Sequence, residues 1–118
     1  MIVGHVYSYQ CSWIEPPHRK LGIIVSERAN WICWFNSNAR FHGVAQMPIA
    51  ANEHQVCTRD CYLDLSQVQQ VRLDEQRGAV DEGLISDALR QRILIELGKP
   101  NRLLPDLQRQ AILKNLTL

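Results

Sequence analysis

Three adjacent side chains that can hold or protonate an anion, His18, Arg19 and Lys20, stand directly before an apolar run at 21–26. Arginine and lysine donate charge-assisted hydrogen bonds to phosphate oxygens, and histidine can exchange a proton near neutral pH. Functional side chains are often held where a loop meets a rigid strand. The cluster therefore predicts a phosphate-binding site. The alternative, which composition alone favours, is that these charges only keep a loop hydrated.

A second mildly basic segment contains Ser37, Arg40 and His42. The runs 21–26 and 31–36 are rich in β-branched and aromatic residues, and "SERAN" between them has the composition of a turn. If the two runs pair as a hairpin around that turn, both basic segments emerge at its open end. We therefore expect Lys20 to lie near Ser37 and Arg40.

Composition limits the classes of function. The chain has 118 residues, enough for one domain, with 46% apolar and 21% charged residues. Its net charge of +1 excludes bulk affinity for nucleic acid as an argument, although a local anion site remains compatible with the mildly basic N-terminal part. No secretory signal and no membrane-spanning run are recognisable, so we expect a cytoplasmic protein whose four cysteines are thiols.

The pattern of elements predicts strands first and helices last, an α+β fold that is mainly β. We expect two helices after the strands, 84–97 with Ser86 as N-cap and Gly98 as its stop, and 101–116 with Asn101 as N-cap. Five or six short strands at spacings near ten residues indicate a small barrel or sandwich. The expected strands are 2–11, 21–26, 29–37, 43–50 and 56–66, and 76–83 is the expected connector to the helices.

Cys57 and Cys61 form a C-x3-C pair behind His54, which raises the alternative of a metal site. Because we expect the pair to lie in an extended strand, its Cα atoms should stand ~13 Å apart at ~3.3 Å per residue. That distance would exclude a shared metal and a disulfide, so we expect core thiols.

Two other pairs have both a structural and a chemical interpretation. Trp31 and Trp34 could stack on bases, but their apolar run favours packing in the core. Asp60 and Asp64 could form an acid–base pair on one strand face, but solvated charges are the more common case.

Several motifs together resemble the MazF/PemK-like toxin family, in its more divergent branch, over about residues 1–97. Gly4 and Val6 stand in the first strand, "EPP" in the loop at 15–17, and Lys20 before "GIIVS" in the second strand. The segments "DCYLDLS" at 60–66 and "GLISDALRQRILIEL" at 83–97 also resemble the end of that fold.

The resemblance implies a small SH3-like β-barrel at 1–75, the family's C-terminal helix at 84–97 and an additional helix at 101–116, all in one domain. It also implies a homodimeric toxin, silenced by a cognate antitoxin protein, that cleaves single-stranded RNA without a metal or other cofactor. In that reaction a ribose 2′-hydroxyl attacks the adjacent phosphate. Lys20 occupies the position of the family's arginine, and Ser37 is the nearest match to its catalytic hydroxyl.

The chain departs from the family pattern at two of these positions. Lysine replaces an arginine that would hold a phosphate with a planar fork, and Leu21 replaces a proline. We hypothesise that the adjacent Arg19 takes over and that His18 or His42 shuttles a proton. The expected RNA-binding residues are His18, Arg19, Arg40 and His42. The alternative is a non-catalytic barrel that binds a protein or RNA partner through the same face.

Overall fold

A computed structural model describes residues 1–11, 18–26 and 28–117 of the chain. The expected "EPP" loop at 15–17 lies outside these residues. The described elements are, in chain order, β1 (His5–Cys11), β2 (His18–Ser26), β3 (Trp31–Asn36), a short 3-10 turn (Phe41–Gly43), β4 (Gln46–Ile49), β5 (Cys61–Asp64), β6 (Gln69–Gln70), α1 (Leu73–Arg77), β7 (Val80–Leu84), α2 (Asp87–Leu97) and α3 (Asp106–Leu116).

The seven strands form an antiparallel sheet in the order β4-β5-β3-β2-β1-β7, with the short β6 paired to β3. The expected hairpin is confirmed, because β2 pairs antiparallel with β3 from Gly22↔Trp34 to Ser26↔Trp31. The α+β class is also confirmed, because the described elements combine the antiparallel sheet with three helices. Closure of the sheet into an SH3-like barrel stays a prediction, since β4 and β7 stand at the two ends of the strand order.

Alternating side chains of the central strands fill two apolar clusters, one on each face of the sheet. On one face Ile23, Val25 and Phe35 pack in the main core with α2 and α3 residues. On the other face Ile24 and Trp34 pack in a smaller cluster with aromatic residues of β1. The apolar run of β2 is thus buried on both faces, as its continuous β-branched sequence predicts.

The sequence correctly predicts the N-cap of α2 but not the start of α3. Ser86 is the N-cap of α2, as predicted, and its Oγ accepts a 3.1 Å hydrogen bond from the Leu89 backbone N–H. The predicted start of the last helix is wrong: the Asn101 side chain caps an isolated turn through the backbone N–H groups of Leu103 and Leu104, and α3 begins only after Pro105.

Two further expectations about elements are wrong. The expected strand at 56–66 begins only at Cys61, because residues 50–60 form a loop (the 50–60 loop) closed by a 2.8 Å bond from Asn52 N to Cys57 O. The expected connector at 76–83 contains the end of α1 and most of β7, which pairs with β1.

Two side-chain contacts join the 50–60 loop to β7. His54 Nε2 lies 3.2 Å from the Gly83 carbonyl oxygen, and Gln55 Nε2 donates to the Glu82 carbonyl oxygen. An ion pair between Arg92 of α2 and Glu53 anchors the same loop from the helical side.

In the described part of the chain, none of the helices is long and apolar enough to cross a lipid bilayer.

Candidate functional site

A cavity of about 510 Å³ opens at the end of the β2–β3 hairpin where the two strands separate. Gly22↔Trp34 is the last described pair between these strands, and β3 then pairs with β5 at Phe35 and Asn36. The first residues of β2 and the end of β3 thus face each other across a gap. The described residues that line it are His18, Arg19, Lys20, Leu21, Phe35, Asn36, Ser37, Val56, Cys57, Thr58, Arg59 and Cys61.

The exposed members of the lining are polar or cationic, and its buried members, Phe35 and Cys57, are apolar. Its described members include three permanent or near-permanent cations, Arg19, Lys20 and Arg59, and no aspartate or glutamate. An anion of phosphate size would meet positive charge there without a competing carboxylate. The arrangement suits anion binding more than cation binding.

Lys20 spans the gap between the two strands. Its ammonium donates a 3.1 Å hydrogen bond to Asn36 Oδ1 and lies 5.0 Å from the centre of the Trp34 ring. Partial burial lowers the pKa of Lys20, and the nearby Arg40 charge adds to that effect against the opposing influence of Cys11 and Asp64. A less hydrated ammonium interacts more strongly with an incoming anion than an exposed lysine does.

Asn36 presents a hydrogen-bond donor that is not used within the described part of the chain. Its buried Nδ2 has no partner there, although the residue lines the cavity. The amide orientation is fixed by Lys20, because the ammonium requires Oδ1 rather than Nδ2 to face it. Asn36 therefore combines an oxygen that accepts from Lys20 with a donor that has no described partner.

Arg59 and Ser37 meet at the opposite wall. The Arg59 guanidinium donates a 2.9 Å hydrogen bond to Ser37 Oγ, which leaves the Ser37 hydroxyl hydrogen available to another acceptor. Sequence reasoning missed Arg59 and Asn36 as candidate residues. The alternating pattern at 56–66 predicts a strand at Arg59. The signal that could have identified a loop is the turn-type composition at 50–55. Within that loop the Asp60 carboxylate accepts a 2.8 Å hydrogen bond from Ala51 N.

The structure brings four of the six predicted site residues to this cavity: His18, Arg19, Lys20 and Ser37. His18 is exposed at the mouth. Arg19 lines the cavity, but its guanidinium donates to the Ser8 carbonyl at 2.8 Å and to Ser8 Oγ at 3.0 Å. These bonds hold the Arg19 guanidinium against β1. Arg19 therefore contributes positive charge to the cavity, while part of its hydrogen-bonding capacity is already used.

The other two predicted site residues, Arg40 and His42, are not among the described residues that line the cavity. The Arg40 guanidinium lies 5.7 Å from the centre of the Phe41 ring, near enough to Lys20 to affect its pKa. His42 is exposed in the 3-10 turn and has a φ of 55°. Arg40 therefore belongs to the surroundings of the cavity, and His42 lies outside its lining.

Asp64 is 1% exposed, so the expectation of a solvated carboxylate is wrong. Its Oδ1 accepts hydrogen bonds from Gln46 Nε2 at 2.8 Å, from the Ser66 backbone N–H at 2.9 Å and from Ser66 Oγ. Gln46 in turn accepts a 3.3 Å bond from Arg40 N through Oε1. The buried carboxylate thus positions the segment that follows β3.

The expected separation of Cys57 and Cys61 is also wrong. The two side chains are in hydrogen-bonding contact, because residues 57–60 lie outside the sheet and bend at Arg59 instead of extending along a strand. His54 does not complete a metal site with them: its Nε2 faces the Gly83 carbonyl, and its Nδ1 accepts a 3.3 Å bond from Val56 N. Within the described ranges, no group of three or more histidine, cysteine or acidic side chains is placed to hold a metal ion.

The aromatic residues of the hairpin follow the expected packing in part. Trp34 is 6% exposed, and its Nε1 donates a 3.0 Å hydrogen bond to Gln69 Oε1. Trp31 is only half-buried. The Lys20 ammonium therefore lies over a largely buried ring, and base stacking on Trp34 would require the core to open.

Comparison with known proteins finds no family model that matches this sequence and no curated protein that matches it.

Proposed function

We propose that the chain is the toxin component of a toxin–antitoxin system and cleaves single-stranded RNA without a metal, as the resemblance to MazF/PemK-like toxins implies. The observation that carries the proposal is the convergence of Lys20, Ser37, Arg59 and His18 on one cavity free of described carboxylates. These are the side-chain types that attack by a ribose 2′-hydroxyl requires.

The scissile phosphate sits between the two walls of the cavity. The Lys20 ammonium and the Arg59 guanidinium face the non-bridging oxygens, where negative charge grows in the transition state. Asn36 adds the unused Nδ2 donor from the strand behind Lys20. At the position of the family's arginine, Lys20 cannot hold a phosphate with two parallel hydrogen bonds. The planar guanidinium of Arg59 supplies that kind of contact instead.

Two side chains handle protons in this scheme. His18 at the mouth takes the proton of the attacking 2′-hydroxyl or delivers one to the leaving 5′-oxygen. The Ser37 hydroxyl, held by Arg59, donates its hydrogen to a phosphoryl oxygen or to the leaving oxygen. The products are a 2′,3′-cyclic phosphate and a 5′-hydroxyl end.

The remaining parts of the proposal follow the family pattern. The sheet closes as an SH3-like barrel, the protein acts in the cytoplasm as a homodimer, and a cognate antitoxin protein silences it by covering the cavity mouth. A flexible single strand suits the cavity because the reacting 2′-oxygen, phosphorus and 5′-oxygen must reach an in-line arrangement.

The alternative function is a binding module that holds RNA without cutting it. One observation favours it: the Lys20 ammonium and the Ser37 hydroxyl are both already engaged, with Asn36 and Arg59 respectively. Groups held by the protein can bind a phosphate while remaining poor at moving protons.

The test incubates the purified full chain with a long RNA in EDTA. We expect discrete fragments with 2′,3′-cyclic phosphate ends from the wild type and their loss in Lys20→Ala and Ser37→Ala. The matched control is Lys114→Ala, which removes an exposed lysine of α3 and should cleave normally.

Binding of the same RNA is measured in parallel by fluorescence anisotropy. RNA that is bound but left intact by a folded protein supports the binding module and contradicts the nuclease. RNA that is neither bound nor cut contradicts both.

A further inference from the structure

Cys57 and Cys61 form a pair of thiols in the wall of the cavity. Cys57 is 5% exposed and Cys61 is half-buried, and both line the cavity on either side of Arg59. The Cys61 side chain is hydrogen-bonded to that of Cys57. The other two cysteines, Cys11 and Cys33, are buried within the sheet instead.

The backbone of the 50–60 loop maintains the proximity of the two thiols. Cys61 is fixed in β5 opposite Ile49 of β4, and Cys57 is fixed by its carbonyl bond to Asn52 N and by its own N–H bond of 2.9 Å to the His54 carbonyl. The three residues between them lie outside the sheet and bend at Arg59. The sulfur atoms can therefore approach without a change in the sheet.

We propose that Cys57 and Cys61 are a modification site, at which a small hydroperoxide converts the two thiols into a reversible disulfide. A small oxidant fits the site because Cys57 is nearly buried and lines the cavity.

The reaction balances with hydrogen peroxide as the two-electron oxidant. The Cys57 thiolate attacks one peroxide oxygen; an S–O bond forms, the O–O bond breaks, and the hydroxide that leaves takes a proton to become water. Cys61 loses its proton to solvent and its thiolate attacks the Cys57 sulfur. The S–S bond forms, the S–O bond breaks, and the second hydroxide is protonated to water.

Cys57 reacts first because of the hydrogen bonds at the pair. Burial raises the pKa of Cys57, but hydrogen bonds from Cys61 and from the His54 backbone oppose that rise, whereas burial and the neighbouring Cys57 raise the pKa of Cys61 to about 11. Glu53 also disfavours both thiolates, and Asp60 disfavours that of Cys61. Oxidation is therefore slow near neutral pH and should accelerate by about tenfold per pH unit below the thiol pKa.

The disulfide would constrain Arg59, which lies inside the small ring that it closes. An S–S bond of about 2.05 Å requires the sulfurs to move together from hydrogen-bonding contact, and the turn that presents Arg59 to Ser37 must adjust. The consequence, weaker anion binding in the oxidised form, rests on the proposed function. The formation of the disulfide does not.

The covalent step is tested with the full chain, treated with hydrogen peroxide, alkylated and digested with trypsin. Cleavage after Arg59 places Cys57 in peptide 41–59 and Cys61 in peptide 60–72, so their disulfide links two separate peptides. We expect this linked pair, lighter than the sum of its parts by two hydrogens, to form faster at higher pH and to vanish with dithiothreitol. Peptides 1–19 and 29–40, which contain Cys11 and Cys33, should stay unlinked.

Cys57→Ser and Cys61→Ser should each abolish the linked peptide, and either variant suffices if the other does not fold. Recovery of both thiols in alkylated form, or their over-oxidation without a link, would overturn the proposal. So would a link to Cys11 or Cys33.

A second measurement separates this proposal from the proposed function. RNA binding is compared between the reduced and the oxidised wild type by fluorescence anisotropy, and we expect about tenfold weaker binding after oxidation, the loss of roughly one charge-assisted contact. Equal affinity would overturn the effect on Arg59. No binding by the reduced protein would contradict the proposed function alone, since the linked peptide reports on the disulfide independently.

Discussion

The Lys20 ammonium and the Asn36 amide oxygen are 3.1 Å apart and join β2 to β3 at the point where their backbone pairing has ended. This side-chain hydrogen bond links the two strands where no backbone pair between them is described. Both residues line the cavity, and the bond leaves Asn36 Nδ2 as a donor without a described partner. β2 contributes the Lys20 ammonium, and β3 contributes the Asn36 oxygen that orients it.

We expect Arg59→Ala to weaken RNA binding about tenfold, because one charge-assisted contact to phosphate is lost. The dependence of log Kd on log salt concentration should decrease in slope by about 0.7, the value for one phosphate contact on a single strand. The measurement is a salt titration by fluorescence anisotropy. Arg102→Ala, which removes an exposed arginine, is the control, and an equal change in both variants would contradict a specific role for Arg59.

Gly22→Ala should lower the free energy of unfolding by about 2 kcal/mol, because the added methyl group overpacks the centre of the sheet. A Cβ there would lie 2.5 Å from Ile32 Cγ1 and 2.8 Å from the Cys33 carbonyl oxygen. Gly78→Ala is the control, since its Cβ would find its nearest neighbour at 4.0 Å. Urea denaturation compares the two, and similar midpoints would show that the sheet relaxes around the methyl group.

Asp64→Ala should destabilise the protein by about 3 kcal/mol, because the buried donors of Gln46 and Ser66 lose their acceptor. Asp64→Asn retains the oxygen that accepts those bonds and should cost about 1 kcal/mol. Urea denaturation measures both. An exposed carboxylate serves as the control, and Asp74→Ala should change stability by less than about 0.5 kcal/mol. If Asp64→Ala lost no more stability than this control, the role of the hydrogen bonds to Asp64 in stability would be contradicted.

Asp81 should contribute a pH-dependent part of stability. Hydrogen bonds from His5 to the carboxylate, and then from the Gly83 N–H, lower the pKa of Asp81. Because its folded pKa is below the unfolded value of about 3.9, the contribution is complete above that value and is lost as pH falls through the lowered pKa.

The Asp81 side chain is 40% exposed. Wild type should therefore exceed Asp81→Asn by only about 0.5 kcal/mol near about pH 6, and the difference should vanish near about pH 2. Urea denaturation across that range measures it, with Asp74→Asn as the matched variant. A difference that persists at the lowest pH would exclude the His5–Asp81 contact as its cause.

The hairpin, and the presence of Lys20 and Ser37 at one cavity at its open end, were predictable because they depend on local signals. Two apolar runs separated by a turn form a hairpin whose two ends lie together. This requires no contact with the rest of the chain. The same holds for Ser86, whose capping bond reaches only to Leu89.

Arg59 and the Cys57–Cys61 contact were not predictable from the same signals. The alternation of Val56, Thr58 and Asp60 with the intervening residues has the period of a strand, but bonds from Asn52 N and Ala51 N fold that segment into a loop. Contacts distant in sequence then hold the loop in place, from His54 and Gln55 to β7 and from Glu53 to Arg92 of α2, and a local pattern does not report them. The assignment of β7 failed for the same reason, since its only described strand partner, β1, is more than 60 residues away in sequence.

The bonds of His54 and Gln55 to the Gly83 and Glu82 carbonyl oxygens have a consequence for self-association. A terminal strand with free carbonyl groups is a template on which a second chain can add a strand. The two side chains occupy those acceptors, so the segment that carries Arg59 also protects the sheet from intermolecular pairing. Substitutions that loosen this segment should therefore promote aggregation as well as alter the cavity.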